Sequence, residues 1–441
     1  MKRIKAYFYK SIVISFFLPI GLVGYGQGKQ IQKTYSWKYK VNKDVRFTFN
    51  NYDCDLIIHT WDKPEIEYRM AVDATLKTEE EANRLDEYIE DLEFTHSAGS
   101  IEFDNRFWQS KKNIIGKKTI GLKGEKTVRY SDFDMEGELW IPVNSNLNLK
   151  SKYSGIEIED TYGRISLDLY NDKLFGGNVN ENIRIEAKYS TLEFKEMKDI
   201  EANLYNTDIE AGEIGNLKIN SKYSKFKSDN AGKLDITAYN DKYTFGNTED
   251  IKFVDKYSDL TAGLSGNIEM DCYNSTVIIT SVESTDLKSK YSKYEISKAD
   301  NLNISSSYND SYKIFSLKTL NINETKYGTY KVDELNSSLF VGDCYSDKYM
   351  VLKTPIEFSG VKVTGKYADI QIGIDVNLDY RFKANVKYPK FDINEEAMDV
   401  RVKIKESSQI EMDAIRGTEK NRMPEFIING YDMSLTFTEL H

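Results

Sequence analysis

Two short phrases take turns between Ser151 and Tyr345, and they restrict the fold more than any other feature of the chain. A Lys-Tyr-Ser phrase places tyrosines at Tyr153, Tyr189, Tyr223, Tyr257, Tyr291 and Tyr327. A Tyr-Asn phrase sets others between them, at Tyr170, Tyr205, Tyr239, Tyr273, Tyr308 and Tyr345. Self-similarity at a fixed period is the signature of stacked supersecondary units. In the Lys-Tyr copies the apolar or small residues lie two and four before the tyrosine and three and five after it, as in Ile183, Ile185, Ala187, Leu192 and Phe194. In the Tyr-Asn copies the row shifts by one, to Leu234, Ile236, Ala238, Tyr243 and Phe245. Such alternation marks strands with one buried face. Counting from the first residue of the four-residue turn inside each phrase (Lys152, Tyr170, Lys188 and onward to Tyr345) makes the spacing nearly uniform, 17 to 19 residues. Each coil then has room for two strands of about five residues and two tight turns. This predicts an all-β solenoid with two facing parallel sheets; a coil of 34 to 36 residues with four shorter sides is the alternative.

A solenoid places no limit on length, so 441 residues need not divide into separate globular domains. Six prolines, 31 tyrosines and a net charge of -10 fit a β-rich chain and argue against a nucleic-acid surface. Residues 1–26 carry a basic head, an apolar run from Ile12 to Val23 and small residues at Gly24 and Gly26, the pattern of a secretory signal peptide. Its removal takes the charge from -10 to -14, and no later segment is apolar enough to span a bilayer. The expected location is therefore the periplasm, the cell surface or the extracellular space. Cys272 and Cys344 each precede a Tyr-Asn-type tyrosine four repeats apart. Stacked strands would hold them roughly 19 Å apart, or about 10 Å in the longer coil, beyond the roughly 7 Å a disulfide spans. Cys272 shares its row with Leu169, Leu204 and Ala238 and reads as a buried thiol.

The flanks are less regular. Residues 27–145 contain a first coil around Tyr52 and a helix over 78–92, opened by a Thr78/Glu81 capping box and expected to cover the N-terminal end of the array. A basic loop follows over 106–129. Residues 146–350 form the regular coils, and 351–441 carry longer copies at Tyr367 and Tyr388 and a last degenerate one at Tyr431.

The segment YDCDLIIHTWDKPEIEYRM with its Glu-rich helix, the segment ELWIPVNSNLNLKSKYSGIEI, and the chain of Lys-Tyr-Ser phrases together resemble bacterial cell-surface adhesins of the head-GIN type. The resemblance implies a right-handed two-sheet β-helix exported to the envelope, a role in adhesion, and no catalytic residues or cofactors. Ser or Asn mostly stands here where such proteins carry a turn glycine.

Other parallel β-helices are polysaccharide lyases and hydrolases, which need carboxyls held at a defined separation. The outward Glu157, Glu159, Asp168, Glu193 and Glu210 instead alternate with lysines, as a solvated face does. Histidines occur at 59, 96 and 441, too few for a His-rich metal site, and no local signature supports a Ser-His-Asp triad around His59. Asp172, Asp241, Asp310 and Asp347 recur in turns, but Thr207 and Ser275 interrupt them, against ordered calcium binding. No metal site is assigned.

Two surfaces remain. Tyr153, Tyr189, Tyr223, Tyr257, Tyr291 and Tyr327, with Lys188, Lys222, Lys256 and Lys290, would line one ridge suited to sugar rings; alternatively the rings brace the turns and the lysine stems cover them. The basic stretch, with Lys111, Lys112, Lys117 and Lys118 and with Trp108 as interfacial anchor, would meet an anionic lipid surface or an acidic polysaccharide; alternatively it is an ordinary exposed hairpin. The reading that results is a non-catalytic exported solenoid for adhesion or envelope contacts, with a cell-surface glycan, an anionic lipid surface or an envelope protein as partner. A polysaccharide-active enzyme and a periplasmic scaffold or sensor partner are the alternatives.

Overall fold

The computed structural model describes residues 28–440 apart from 98–99, 115, 125 and 421, so the signal peptide expected over 1–26 lies outside the described residues. Within them are 36 strands and one α-helix. The strand leading into each turn pairs in parallel with its counterpart one coil on: Asn146–Lys152 with Ile165–Tyr170, that with Ile183–Lys188, and so along the array. Strands leaving the turns do the same, as Gly155–Ile158 does with Lys173–Gly176. Register advances by 18 residues per coil there and by 17 from Ile200–Tyr205 to Leu217–Lys222, so each coil is the short one and the 34-to-36-residue alternative is excluded.

Ile183, Ile185 and Ala187 on one strand and Leu192 and Phe194 on the next are buried, as their alternation requires. Between Asp259 and Tyr345 the strands run 15 to 17 residues, bending through the corner without losing their pairing, so hydrogen bonding joins the two facing sheets into one surface. Earlier coils carry a short third side, where Thr161, Val179, Met197 and Ile214 form successive parallel bridges.

Both ends depart from simple stacking. Arg46–Tyr52 and Asp55–Trp61 form a coil in register with Asn146–Lys152 and Gly155–Ile158, although about a hundred residues of chain separate them. Its open edges are covered by Ser100–Asp104 and by Thr127–Pro142, and the latter continues into an antiparallel layer with Glu65–Leu76 and Lys29–Lys40. The helix spans Glu79–Glu90, with Thr78 as N-cap accepting from the Glu81 N–H at 3.2 Å. It buries Ala82, Leu85 and Ile89 against this antiparallel layer, so strands rather than the helix cover the first coil directly.

At the other end the order in space differs from the order in sequence. Gly360–Lys366 pairs with Glu425–Tyr431, and Glu425–Tyr431 pairs in turn with Tyr380–Lys387. The Tyr431 copy, expected to be the last coil, therefore lies between the Tyr367 and Tyr388 coils. Its close fit needs glycine: Gly430 has φ of 148°, and a Cβ there would sit 1.9 Å from the Gly365 carbonyl oxygen. The array closes on an antiparallel hairpin, Met398–Glu406 with Gln409–Arg416.

Candidate functional site: a tyrosine ridge and a basic hairpin

Every turn between the two facing sheets holds one residue in the left-handed backbone region, and its identity alternates. In the Tyr-Asn turns it is the residue after the tyrosine, Asn171, Asn206, Asn240, Asn274 and Asn309, with φ of 48–58°. In the Lys-Tyr turns it is the tyrosine: Tyr153, Tyr189, Tyr223, Tyr257, Tyr291 and Tyr327, with φ of 57–62°, and Tyr367 and Tyr388 follow suit. Asn tolerates this region; a bulky aromatic ring there is unusual. Because the tyrosine moves between the first and second turn positions in successive coils, the rings form a zigzag, with lysine and asparagine filling the vacated places.

The zigzag makes one continuous aromatic row. Tyr153, Tyr170, Tyr189, Tyr205, Tyr223, Tyr239, Tyr257, Tyr273, Tyr291, Tyr308, Tyr327, Tyr345, Tyr367, Tyr431 and Tyr388 meet edge to face in succession, with centroids 5.3–5.7 Å apart and planes at 74–81°. At about 4.8 Å per coil the row runs for about 70 Å. The rings brace one another and remain accessible: Tyr153 is 57 % exposed and Tyr223 45 %, against 38 % for Tyr205 at the other turn position. Lys188, Lys222, Lys256 and Lys290 are exposed beside them. Lys152 shows the stem-over-ring arrangement, its Nζ 5.9 Å from both the Tyr52 and Tyr170 rings. A shallow groove of about 620 Å³ runs along the first coils of the ridge, between Tyr153, Tyr170, Tyr189 and Tyr223 and the turn asparagines.

Beneath the ridge lies a buried polar column built on the aspartates that recur in the turns. Asp310 is 2 % exposed, and its carboxylate accepts from the Ser292 N–H at 2.7 Å, the Tyr308 N–H at 3.0 Å and the hydroxyls of Ser289 and Ser307. Asp172, Asp241 and Asp347 repeat the pattern, each tying its own turn to the backbone of the preceding coil. Where the aspartate is missing, Thr207 takes its place, and at Ser275 the carboxylate comes from Asp255 one coil back. These carboxylates are surrounded by N–H and O–H donors, whereas a calcium ion needs a shell of acceptor oxygens. Inside the coils Tyr294, Tyr312, Tyr330 and Tyr349 stack face to face at 4.7–5.0 Å, and the first three reach Ser289, Ser307 and Thr325 through their hydroxyls. Cys54, Cys272 and Cys344 are buried free thiols, so the pairing of Cys272 with Cys344 is absent as their separation requires.

The outer faces carry mixed charge. A groove of about 1180 Å³ is lined by Arg46, Arg164, Arg184, Lys218 and Lys233 together with Asp199, Glu201 and Asp235. Ion pairs cross from coil to coil, as between Lys225 and Asp208 at 2.9 Å and between Lys233 and Asp250 at 3.1 Å. His59 Nδ1 lies 2.9 Å from Glu159 and its ring stacks on Trp140, a carboxylate and an aromatic partner rather than a nucleophile.

The basic stretch is a β-hairpin, Trp108–Ile114 with Lys117–Leu122, and not a loop. Trp108 is buried, 6 % exposed, edge to face with Phe107 and Phe133, so it is no interfacial anchor: a register shift between Trp108 and Ser110 sets it opposite Leu122, on the inward face with Ile120 rather than on the outward face of Lys112. Lys111 is engaged with the carboxylate of Asp53, and Lys118 donates to the Ser131 carbonyl at 3.0 Å. Lys112 and Lys117 are exposed. Arg106 lies 4.7 Å from the Tyr52 ring, so the hairpin adjoins the N-terminal end of the ridge.

No family model matches the chain, and no curated protein does. Among solved structures, the chain aligns with a "putative cell adhesion protein" from Clostridium sporogenes at 7 % identity, covering 93 % of this chain and 100 % of that one. The TM-score is 0.19, so the alignment carries no argument about this protein. Among the described residues, no helix is long and apolar enough to cross a membrane.

Proposed function

We propose that this is an exported, non-catalytic β-solenoid whose tyrosine ridge binds a repetitive, carbohydrate-rich polymer of the cell envelope, in the service of adhesion. The observation that carries this reading is the tyrosine at positive φ. Left-handed backbone disfavours an L-residue by about 1–2 kcal/mol, and alternate coils satisfy the same turn with asparagine. Turn geometry alone therefore does not call for tyrosine; displaying an unbroken aromatic row does. Edge-to-face contacts of about 0.5–1.5 kcal/mol each offset the strain and hold the rings in place, so a ligand meets a surface that needs little ordering. The most exposed rings recur every two coils, about 9.6 Å, comparable to a disaccharide in an extended glycan. Lysine and asparagine beside each ring supply donors for sugar hydroxyls.

The test is the full chain carrying Tyr223→Asn and Tyr257→Asn, a change the turn already accommodates in its alternate coils. Binding to insoluble polysaccharides and to whole cells should fall at least about tenfold while circular dichroism shows a folded solenoid. Undiminished binding by the folded variant would refute the ridge as the ligand surface. Protease treatment of intact cells, with and without permeabilisation, tests location: protection in intact cells overturns adhesion and leaves a periplasmic scaffold.

A further inference from the structure

The hairpin register separates its four central lysines into two pairs. Lys112 pairs with Thr119 and Ile114 with Lys117, so Lys112, Ile114 and Lys117 share one face. Lys111 and Lys118 lie on the opposite face with the buried Ile120, and both are engaged within the protein. The free face thus presents Ile114, 62 % exposed and the most exposed of the large apolar side chains among the described residues, with a cation two residues before it and another directly across the strand pair. In water such an isoleucine gains nothing. At a bilayer surface it enters the headgroup region while the flanking ammonium groups reach lipid phosphates. The chain as a whole carries -10, so a local cationic patch such as this one attracts an anionic surface that the rest of the chain on balance repels.

We propose that the hairpin tip is a docking element for an anionic lipid bilayer, with Ile114 inserting and Lys112 and Lys117 contacting headgroup phosphates. Lys111 and Trp108 hold the hairpin in place from behind and touch no lipid. The hairpin tip is a surface distinct from the ridge, which only the base of the hairpin adjoins, at Tyr52 and Asp53.

Sedimentation of the full chain with vesicles tests this, using phosphatidylcholine alone or mixed with phosphatidylglycerol. Binding is expected to the mixed vesicles only, weakening as salt rises. Lys112→Gln with Lys117→Gln should lower the partition coefficient about 25-fold, from about fivefold per lysine near an anionic surface. Ile114→Ser should lower it about tenfold without changing the salt dependence. Tyr223→Asn with Tyr257→Asn should leave vesicle binding intact, which separates this proposal from the ridge. Equal binding to neutral vesicles, or none to anionic ones, overturns it. So does tight binding to an acidic polysaccharide that Ile114→Ser does not affect, since that would mark a polyanion site with no apolar insertion.

Discussion

Acidification from about pH 8 to about pH 5 should stabilise the solenoid, because of the carboxylates buried under the ridge. Desolvation pushes Asp172, Asp255 and Asp347 up to about 6, against the 3.8 of an ordinary aspartate, even though each accepts hydrogen bonds that pull the other way. Asp241 and Asp310 move in the same direction for the same reason. A raised carboxyl pKa means that the folded chain holds protons the unfolded chain has lost. The gain is fully present below the unfolded value and disappears as pH rises through the folded one. For one such group the difference between pH about 8 and about 5 is about 1.4 kcal/mol. Asp172, Asp255 and Asp347 are several coils apart and should add, to about 4 kcal/mol. Glu67, Glu81 and Asp86 shift the other way: burial raises them, but ion pairs with Lys38 and Arg69, with Arg129 and with Lys33 more than reverse it. Their contribution persists above about pH 4.5 and does not enter the window. Thermal melts across the range should show a rising midpoint towards acid, and Asp347→Asn should make the slope shallower by the share of one of these five carboxylates. A flat or falling midpoint, or an unchanged slope in the variant, would refute the account.

Tyr257→Asn should cost less than about 2 kcal/mol in denaturant melts, since two ring contacts are lost but backbone strain is relieved. Tyr257→Val should cost about 2 kcal/mol more, a β-branched residue being held at positive φ. The native protein should not react with an aromatic disulfide reagent, since desolvation pushes Cys54 and Cys344 up to about 12 and Cys272 upward as well; denaturation should release all three thiols.

The coil was legible because its period is written in residues that repeat at one place: the spacing from Lys152 to Tyr345 and the inward row through Ile183 and Leu192 are direct consequences of stacking. The ridge was legible as a row of tyrosines, but not their backbone state, since propensity alone would put Gly or Asn at every left-handed position. The order of the last coils was hidden for a different reason. Tyr431 carries the same local pattern as any other copy, and a strand's side-chain pattern says which face is buried, not which edge it joins. Trp108 misled because a lone tryptophan among lysines looks interfacial in one dimension, while register turns it under the sheet. The same register exposes Ile114, which no composition signal marked. The buried aspartates were visible as a turn pattern; their role depended on donors one coil away.

The interleaved C-terminal coil also constrains when the protein can finish folding. Strands from Ile165–Tyr170 up to Asp369–Asp375 can stack as they emerge, each coil on the one before. Tyr380–Lys387 cannot take its final place then, because the neighbour that separates it from Gly360–Lys366 is Glu425–Tyr431, synthesised later. Until that strand slides in, the growing end presents an unpaired edge able to recruit another chain. A ribosome that stalls, or a protease that trims, before residue 425 leaves that edge permanently open. Completion of the array is thus coupled to synthesis of Glu425–Tyr431 and Ser434–Leu440, and chains halted before these strands are expected to be the ones that aggregate or are degraded.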